Sequence, residues 1–247
     1  MKQVLGCMKK ADIDFAMIED GDRIAVGLSG GKDSTLLLHA LSLYRQFSRK
    51  KYTLHAFTVT LGLRPFDTTP LAKLCEELKV AYTVRETDIA EILFTQRKEK
   101  NPCSLCAKMR RGILMNLANE FHCNKLALGH HGDDGVETLL MSLLYENRLH
   151  TFHPVTYLSR ADVTAIRPMV YMEEKHIQKV VRRLNLPVVK NPCPVDGHTK
   201  RQEIKELLTT LSKSYPHIRE SLLQALRKDH QYGLWNKPTQ KEKPEKS

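Results

Sequence analysis

A short run of sequence near the N-terminus constrains the fold more than any other part of this chain. Residues 23–34 read RIAVGLSGGKDS, so an apolar stretch leads into a Ser-Gly-Gly-Lys-Asp-Ser loop, and a leucine-rich segment follows. The apolar stretch predicts a buried strand, and the leucine spacing predicts a helix after the loop. Adjacent glycines let the backbone approach a ligand closely, and the N–H groups at a helix N-terminus attract anions, above all phosphate. The order of strand, loop and helix therefore predicts a phosphate-binding loop rather than an ordinary glycine turn.

The loop is not a Walker motif. Its Gly-Lys pair is followed by Asp33 instead of Ser or Thr, and the spacing of its glycines differs. Because a carboxylate repels bare phosphate, Asp33 implies a metal ion or a particular phosphate geometry. The loop resembles the SGGxDS signature of the PP-loop ATP pyrophosphatase superfamily, whose members split ATP between its α- and β-phosphates and adenylate a substrate. The resemblance implies that ATP and Mg²⁺ bind here, on Ser29, Gly30, Gly31, Lys32, Asp33 and Ser34.

The composition is that of a globular protein with one domain, or one domain and a small appendage. The chain has 247 residues, of which 41% are hydrophobic and 27% charged. No apolar run approaches the ~20 residues that span a bilayer, and the N-terminus lacks the apolar segment of a secretory signal. We therefore expect a cytoplasmic protein with no membrane partner, whose six cysteines are thiols or metal ligands rather than disulfides.

The net charge of +11 indicates a polyanionic partner, nucleic acid first. The alternative is a solvated lysine-rich surface, which charge alone does not exclude. The distribution favours a binding surface, because basic residues crowd around one cysteine pair and flank a further cysteine. We take as candidate nucleic-acid contacts Arg97, Lys98, Arg111, Arg182, Arg183, Lys200 and Arg201.

Strand-like and helix-like segments alternate along the first two thirds of the chain. Strands are expected at 24–26, 52–61, 81–85, 125–129 and 164–169, and helices at 2–17, 33–47, 70–78, 104–121, 133–144, 173–184, 200–211 and 218–230. This pattern predicts an α/β fold with a doubly wound, mostly parallel sheet, Rossmann-like or adenine nucleotide α-hydrolase-like, and a C-terminal helical extension. The expected division is a lead-in helix at 1–22, a PP-loop domain at 23–213, a helix at 214–236 and a disordered tail at 237–247.

A second loop, GHHGDD at residues 129–134, follows an apolar strand and opens a helix. Ligands of such sheets bind beyond the carboxyl ends of the strands, so His130, His131, Asp133 and Asp134 are expected near the first loop. The two aspartates could hold Mg²⁺ against ATP oxygens or orient the nucleotide. The alternative is that they cap the helix and complement its dipole, which we expect to hold for one of them.

Three cysteines lie in similar settings after a proline or at a helix start. Cys103 and Cys106 form a C-x-x-C pair, and Cys193 follows Asn-Pro far downstream. The residues leave three interpretations open: a zinc site completed by His198, a redox dithiol, or a 4Fe–4S cluster with one iron open to another ligand. The isolated Cys7, Cys75 and Cys123 are expected to be small buried hydrophobic residues.

Taken together, CSLCAKMRRGIL, SGGKDS, GHHGDD and the later NPC resemble the tRNA 2-thiocytidine synthetase family (TtcA) over roughly residues 15–208. The resemblance implies an ATP-dependent tRNA sulfurtransferase that adenylates O2 of an anticodon-loop cytidine and replaces it by sulfur. It implies a 4Fe–4S cluster on Cys103, Cys106 and Cys193, catalytic roles for Asp33, Asp134 and Arg110, and nucleotide binding with help from His130 and Asp133. A cysteine desulfurase or another sulfur donor would be a partner besides tRNA, and a homodimer is an option.

The chain departs from the family pattern at residue 132, where Gly132 replaces an arginine that members often carry, and after Cys193, where no second cysteine follows. Three other functions remain open from the residues alone. One is a PP-loop enzyme without sulfur transfer, such as a lysidine synthetase or an amidotransferase. The second is a non-catalytic zinc or iron–sulfur protein that binds RNA, and the third is a sulfur-relay protein.

Overall fold

The computed structural model describes residues 1–63, 65–97, 102–189, 192–193 and 199–228. A six-stranded sheet with the order β3-β2-β1-β4-β6-β5 forms its centre. The strands are β1 (Arg23–Gly27), β2 (Thr53–Val59), β3 (Ala81–Arg85), β4 (Lys125–Ala127), β5 (Val155–Leu158) and β6 (Val163–Ile166). All neighbouring pairs are parallel except β5 with β6. The expected α/β class with a mostly parallel sheet is confirmed.

Helices cover both faces of the sheet. They are α1 (Lys2–Phe15), α2 (Lys32–Phe47), α3 (Thr69–Glu77), α4 (Pro102–Glu120), α5 (Gly132–Glu146), α6 (Glu174–Arg183), α7 (Lys200–Ser214) and α8 (Ile218–Leu226). A π-helical segment, Glu91–Gln96, precedes α4. Within the described ranges, no helix is long and apolar enough to cross a membrane.

The core has two layers because side chains of β1 alternate between the faces of the sheet. Ile24 and Val26 are buried on the face covered by α1, α2 and α6, whereas Ala25 lies with Phe57 on the face covered by α4. A third, small cluster of Val136, Ile204 and Leu208 packs α7 against α5. The helix that follows the third cysteine in sequence is therefore fixed to the helix of the second loop.

The topology determines where a ligand can bind. The chain runs from β1 outward through β2 and β3, and it then returns to place β4 on the other side of β1. The strand order reverses at β1 and β4, so the loops after these two strands open a crevice at one edge of the sheet. The two loops are SGGKDS and GHHGDD.

Most expected elements are present with ends shifted by a few residues. The expected strand at 164–169 begins and ends earlier, at Val163–Ile166, and the antiparallel strand β5 and the π-helical segment were not expected. The last helix ends at Leu226, where a longer helix to 230 was expected; residues 229 and 230 and the expected tail at 237–247 lie outside the described residues.

Candidate active site

The first loop is closed on itself by a serine of the following helix. The hydroxyl of Ser34 donates to the carbonyl oxygen of Gly31 at 3.0 Å and accepts the backbone N–H of Ser29 at 3.1 Å. Gly31 is the N-cap of α2, so the first N–H groups of the helix are directed to the space above the loop. This is the geometry of an anion-binding helix N-terminus.

Gly30 is required at its position. Its φ is +84°, and a Cβ there would lie 3.2 Å from the Cβ of Val189. The carbonyl oxygen of Gly30 accepts the backbone N–H of Val189 at 2.9 Å. The loop is therefore attached to the segment that runs toward Cys193.

A cavity of about 300 Å³ opens between the two loops. An apolar wall formed by Phe57, Val59, Leu114 and Leu128 suits a flat base, whereas the loops supply polar groups. The polar lining consists of Ser29, Gly31, Asp33, Ser34, Gly129, His130, Asp134 and Arg110. Most residues that the sequence indicates for the nucleotide thus surround one space.

Asp33 offers an unused carboxylate oxygen. Its Oδ2 accepts from Nζ of Lys32 at 2.9 Å, but its buried Oδ1 has no hydrogen-bond partner among the described residues. Nε2 of His131 lies 3.8 Å from this Oδ1. An unpartnered carboxylate oxygen beside an anion-binding loop fits a hard cation such as Mg²⁺.

The two aspartates of the second loop point in different directions. Oδ2 of Asp134 accepts the backbone N–H of His131 at 2.9 Å, and its Oδ1 accepts Nη1 of Arg201 at 3.2 Å beside the cavity. Asp133 instead accepts the backbone N–H of Glu174 and Nη1 of Arg219, at 2.8 and 3.2 Å. Its carboxylate faces α6 and α8, where it lines a separate cavity of about 200 Å³.

His130 is held in its neutral form. Burial is the main cause that lowers its pKa; the charge of Asp134 opposes this effect, the charges of Arg167, Arg201 and Arg111 add to it, and the resulting pKa is about 4. Its ring lies 5.0 Å from the ring of Phe152, measured between centroids. A neutral imidazole can accept or donate a hydrogen bond without adding charge to the cavity.

The C-x-x-C pair lies in the first turns of α4, on the same helix as Arg110. Burial raises the pKa of Cys106; the charge of Arg110 lowers it, and the thiols of Cys193 and Cys103 raise it. All three cysteines therefore interact electrostatically beside an arginine that lines the cavity. Across the described ranges, no three His, Cys, Asp or Glu side chains form a ready-made metal site, and His198 lies outside them.

The donor chemistry of the three thiols nevertheless fits an iron–sulfur cluster, for which thiolates are the usual ligands. The other cysteines lie elsewhere in the fold. Cys75 and Cys123 are buried in the core, and burial raises the pKa of Cys75 to about 12. Cys7 is half-buried in α1 and packs against the same core.

The expected nucleic-acid contacts fall into two groups. Arg97, Arg111, Arg182 and Arg183 are exposed, and Lys98 lies outside the described residues. Lys200 is exposed and lies over the ring of Tyr145. Arg201 differs, because it binds carboxylates within the fold.

The sequence did not indicate three charged residues that form ion pairs outside the cavity, between α7 and the elements next to it. Glu137 is fully buried in α5, Glu174 begins α6, and Lys205 lies one turn after Arg201 in α7. One signal was available in the sequence. The spacing of residues 201, 204, 205 and 208 places them on one face of a helix, so Lys205 could have been assigned to the same face as Arg201.

A family model and several known proteins match this chain. The PP-loop domain family (ATP_bind_3) matches residues 6–211. A tRNA-cytidine(32) 2-sulfurtransferase of Geobacter sulfurreducens is 41% identical over 228 residues, which cover 91% of this chain and 89% of the relative. The protein of the same name from Geobacter metallireducens is 42% identical over 220 residues, which cover 88% of this chain and 86% of the relative.

Among solved structures, the U34-tRNA thiolase NcsA from Methanococcus maripaludis, with its [4Fe-4S] cluster, is similar with a TM-score of 0.74 and 26% identity. The match covers 94% of this chain and 80% of that one. An NH3-dependent NAD synthetase from Campylobacter jejuni, 18% identical with a TM-score of 0.50, shares the fold. These similarities confirm the expected PP-loop family.

Proposed function

Because this chain belongs to the PP-loop family that includes the tRNA-cytidine(32) 2-sulfurtransferases, we propose that it is an ATP-dependent tRNA sulfurtransferase. The substrate would be a cytidine of the anticodon loop, at position 32 by analogy with the relatives. One observation carries the proposal: Arg110 lines the cavity of the phosphate loop and also lowers the pKa of Cys106. A nucleotide site and a cysteine site therefore meet at one helix.

In the first step, O2 of the cytidine attacks the α-phosphorus of ATP, and the bond to pyrophosphate breaks. The N–H groups at the start of α2 and the hydroxyl of Ser29 would hold the phosphates, and Ser34 would keep the loop closed through its bonds to Gly31 and Ser29. Fixed donors in a partly enclosed site stabilise the charge that develops on the leaving pyrophosphate. We assign the unpartnered oxygen of Asp33, together with Asp134, to Mg²⁺, which would neutralise the phosphates.

In the second step, a sulfur nucleophile attacks C2, and the original oxygen leaves with AMP. A 4Fe–4S cluster held by Cys103, Cys106 and Cys193 would supply a coordination position for the incoming sulfur. Arg110 would bind the phosphate of the adenylated base and stabilise the departing AMP. The apolar wall at Phe57 and Leu114 would exclude water, which otherwise hydrolyses the adenylate.

The exposed arginines would bind the tRNA backbone. Arg97 follows the π-helical segment before the cysteine pair, Arg111 lies in α4 after the pair, and Arg182 and Arg183 end α6. Phosphate contacts supply much of the affinity for RNA, and a loop base can leave its stack to enter a pocket. A cysteine desulfurase or another donor would deliver the sulfur. We also propose that the protein is located in the cytoplasm. The proposed limits of its PP-loop domain are residues 23–213.

The proposal is tested by two measurements on cells and protein. In a strain from which the gene is deleted, mass spectrometry of tRNA nucleosides should show loss of 2-thiocytidine; unchanged thionucleosides would contradict the proposal. Anaerobically purified protein should contain iron and sulfide, and Cys193→Ala should lose most of both. The matched control Cys7→Ala should retain them, because Cys7 lies in α1 away from the cavity.

A further inference from the structure

A fully buried carboxylate shares an arginine with Asp134, which lines the nucleotide cavity. Glu137 has no exposed surface, and burial raises its pKa. Its Oε2 accepts Nη1 of Arg201 at 3.1 Å, whereas its Oε1 lies 3.8 Å from Nζ of Lys205 and has no hydrogen-bond partner in the described part of the chain. A buried charge is costly unless it is paired, so the α7 cations compensate Glu137.

Arg201 joins this buried charge to the cavity. The same Nη1 that binds Glu137 donates to Oδ1 of Asp134 at 3.2 Å, and Nη2 donates to the hydroxyl of Thr138 at 3.3 Å. Both oxygens of Asp134 therefore have donors, since the other one accepts the backbone N–H of His131. The direction of the Asp134 carboxylate is set by Arg201 and the start of α5.

Lys205 makes a second connection from α7 to the first loop. Its Nζ lies 3.1 Å from Oε2 of Glu174, whose Oε1 lies 2.9 Å from Nζ of Lys32. Burial raises the pKa of Glu174, but the hydrogen bond and charge of Lys32, with those of Lys205, outweigh it and lower the pKa to about 2. Lys32 also binds Asp33. The face of α7 thus contacts Asp134 of the second loop directly, and it is connected to Asp33 of the first loop through Glu174 and Lys32.

We propose that Arg201 is a positioning residue of the nucleotide site, which acts by orienting Asp134, and that it is not a contact for tRNA. The inference rests on the proposed nucleotide site and adds one prediction to it. Arg201 must affect ATP binding when no tRNA is present. A residue that contacts tRNA would instead leave that binding unchanged.

Replacing Arg201 alone would leave Glu137 buried without its closest cation, so the test starts from Glu137→Gln. The amide oxygen of this variant can still accept from Arg201, which keeps Asp134 in place. Glu137→Gln is then compared with Glu137→Gln/Arg201→Met and Glu137→Gln/Arg201→Lys. Lys213→Met, at an exposed position in the same helix, is the surface control.

The measurement is calorimetric binding of α,β-methylene-ATP with Mg²⁺ to the complete protein without tRNA, together with the thermal midpoint. We expect Glu137→Gln and Lys213→Met to bind within twofold of the wild type. Glu137→Gln/Arg201→Met should bind about tenfold more weakly with an unchanged midpoint, and Glu137→Gln/Arg201→Lys should recover part of the loss.

Unchanged nucleotide affinity in Glu137→Gln/Arg201→Met, with a raised KM for tRNA, would overturn the inference and make Arg201 an RNA contact. A loss of affinity that accompanies unfolding of that variant at the assay temperature would also overturn it, since the role would then be structural. If the wild type binds no nucleotide, the proposed function fails instead.

Discussion

The backbone N–H of Val189 donates a hydrogen bond of 2.9 Å to the carbonyl oxygen of Gly30. Gly30 belongs to the phosphate loop, and Val189 precedes Cys193 by four residues. The chain that leads to the third cysteine is therefore attached to the loop proposed to bind ATP. We therefore expect that binding of ATP to the loop changes the reactivity of Cys193.

We expect Mg·ATP to slow alkylation of Cys193 severalfold in cluster-free protein, because a loaded phosphate loop holds Gly30 and the attached segment more firmly. Peptide mass spectrometry after a timed pulse of N-ethylmaleimide measures this rate. Cys7 serves as the internal control, since it lies in α1. Equal rates at Cys193 with and without nucleotide would refute the connection.

The same contact predicts different effects for the two loop glycines. Gly30→Ala places a Cβ at positive φ against Val189, so it should lower the free energy of unfolding by about 1–3 kcal/mol. Gly31→Ala meets only the Oγ of Ser29 at 3.5 Å and should cost less than about 1 kcal/mol. Urea denaturation measures both, and equal costs would show that the Gly30 conformation is not required.

Variants at the two adjacent arginines of α4 should affect different steps, namely the chemical reaction and the binding of RNA. Arg110 lines the cavity, so Arg110→Met should lower AMP release at saturating tRNA by about 10²-fold. Arg111 is exposed, so Arg111→Met should raise the KM for tRNA and reduce the salt dependence of binding by about one charge. Steady-state kinetics at several salt concentrations measures both effects. Identical behaviour of the two variants would contradict the assignment.

Burial of His130 predicts a loss of stability in acid. Its pKa in the folded protein is about 4, below the ~6.5 of an unfolded chain, so the unfolded state binds more protons between these values. The contribution of His130 is fully present above pH 6.5 and is lost as the pH falls toward 4. When the pH falls from 7 to 5, the titration of His130 should lower the free energy of unfolding by about 1–2 kcal/mol.

The variant His130→Asn should lose correspondingly less stability than the wild type over the same range. Urea denaturation at pH 7 and 5 measures the difference. A wild type and variant that respond alike to acid would mean that His130 is not kept neutral by the fold.

The sequence predicted five of the six strands of the described sheet, because each of these five carries a local signal. β1 and β4 are short apolar runs that end in glycine loops, and such runs identify buried parallel strands without tertiary information. β5 carried no such signal, since Val155–Leu158 is short and partly exposed at the edge of the sheet. Its pairing with β6 depends on the hairpin rather than on its own composition.

Parts of the site required the three-dimensional structure. Asp133 and Asp134 are adjacent in sequence, and which of them faces the cavity depends on the rotation of α5 against α6 and α8. From the sequence alone, Arg201 is expected to be a surface cation. Its contacts with the site are visible only when α7 is packed on α5. The departure at Gly132 also has a local reason, because a Cβ there would lie 3.0 Å from the carbonyl oxygen of Met172 and from Leu223. A side chain at this position would require a small shift of the Met172 carbonyl and another rotamer of Leu223.

The most direct test of the proposed function is anaerobic reconstitution with cluster-loaded protein, Mg·ATP, sulfide and an unmodified tRNA transcript. Nucleoside mass spectrometry and AMP assay should find one 2-thiocytidine and one AMP per tRNA, and neither product when cytidine 32 is replaced by uridine. Thiolation without ATP, or AMP release without 2-thiocytidine, would contradict the proposed mechanism.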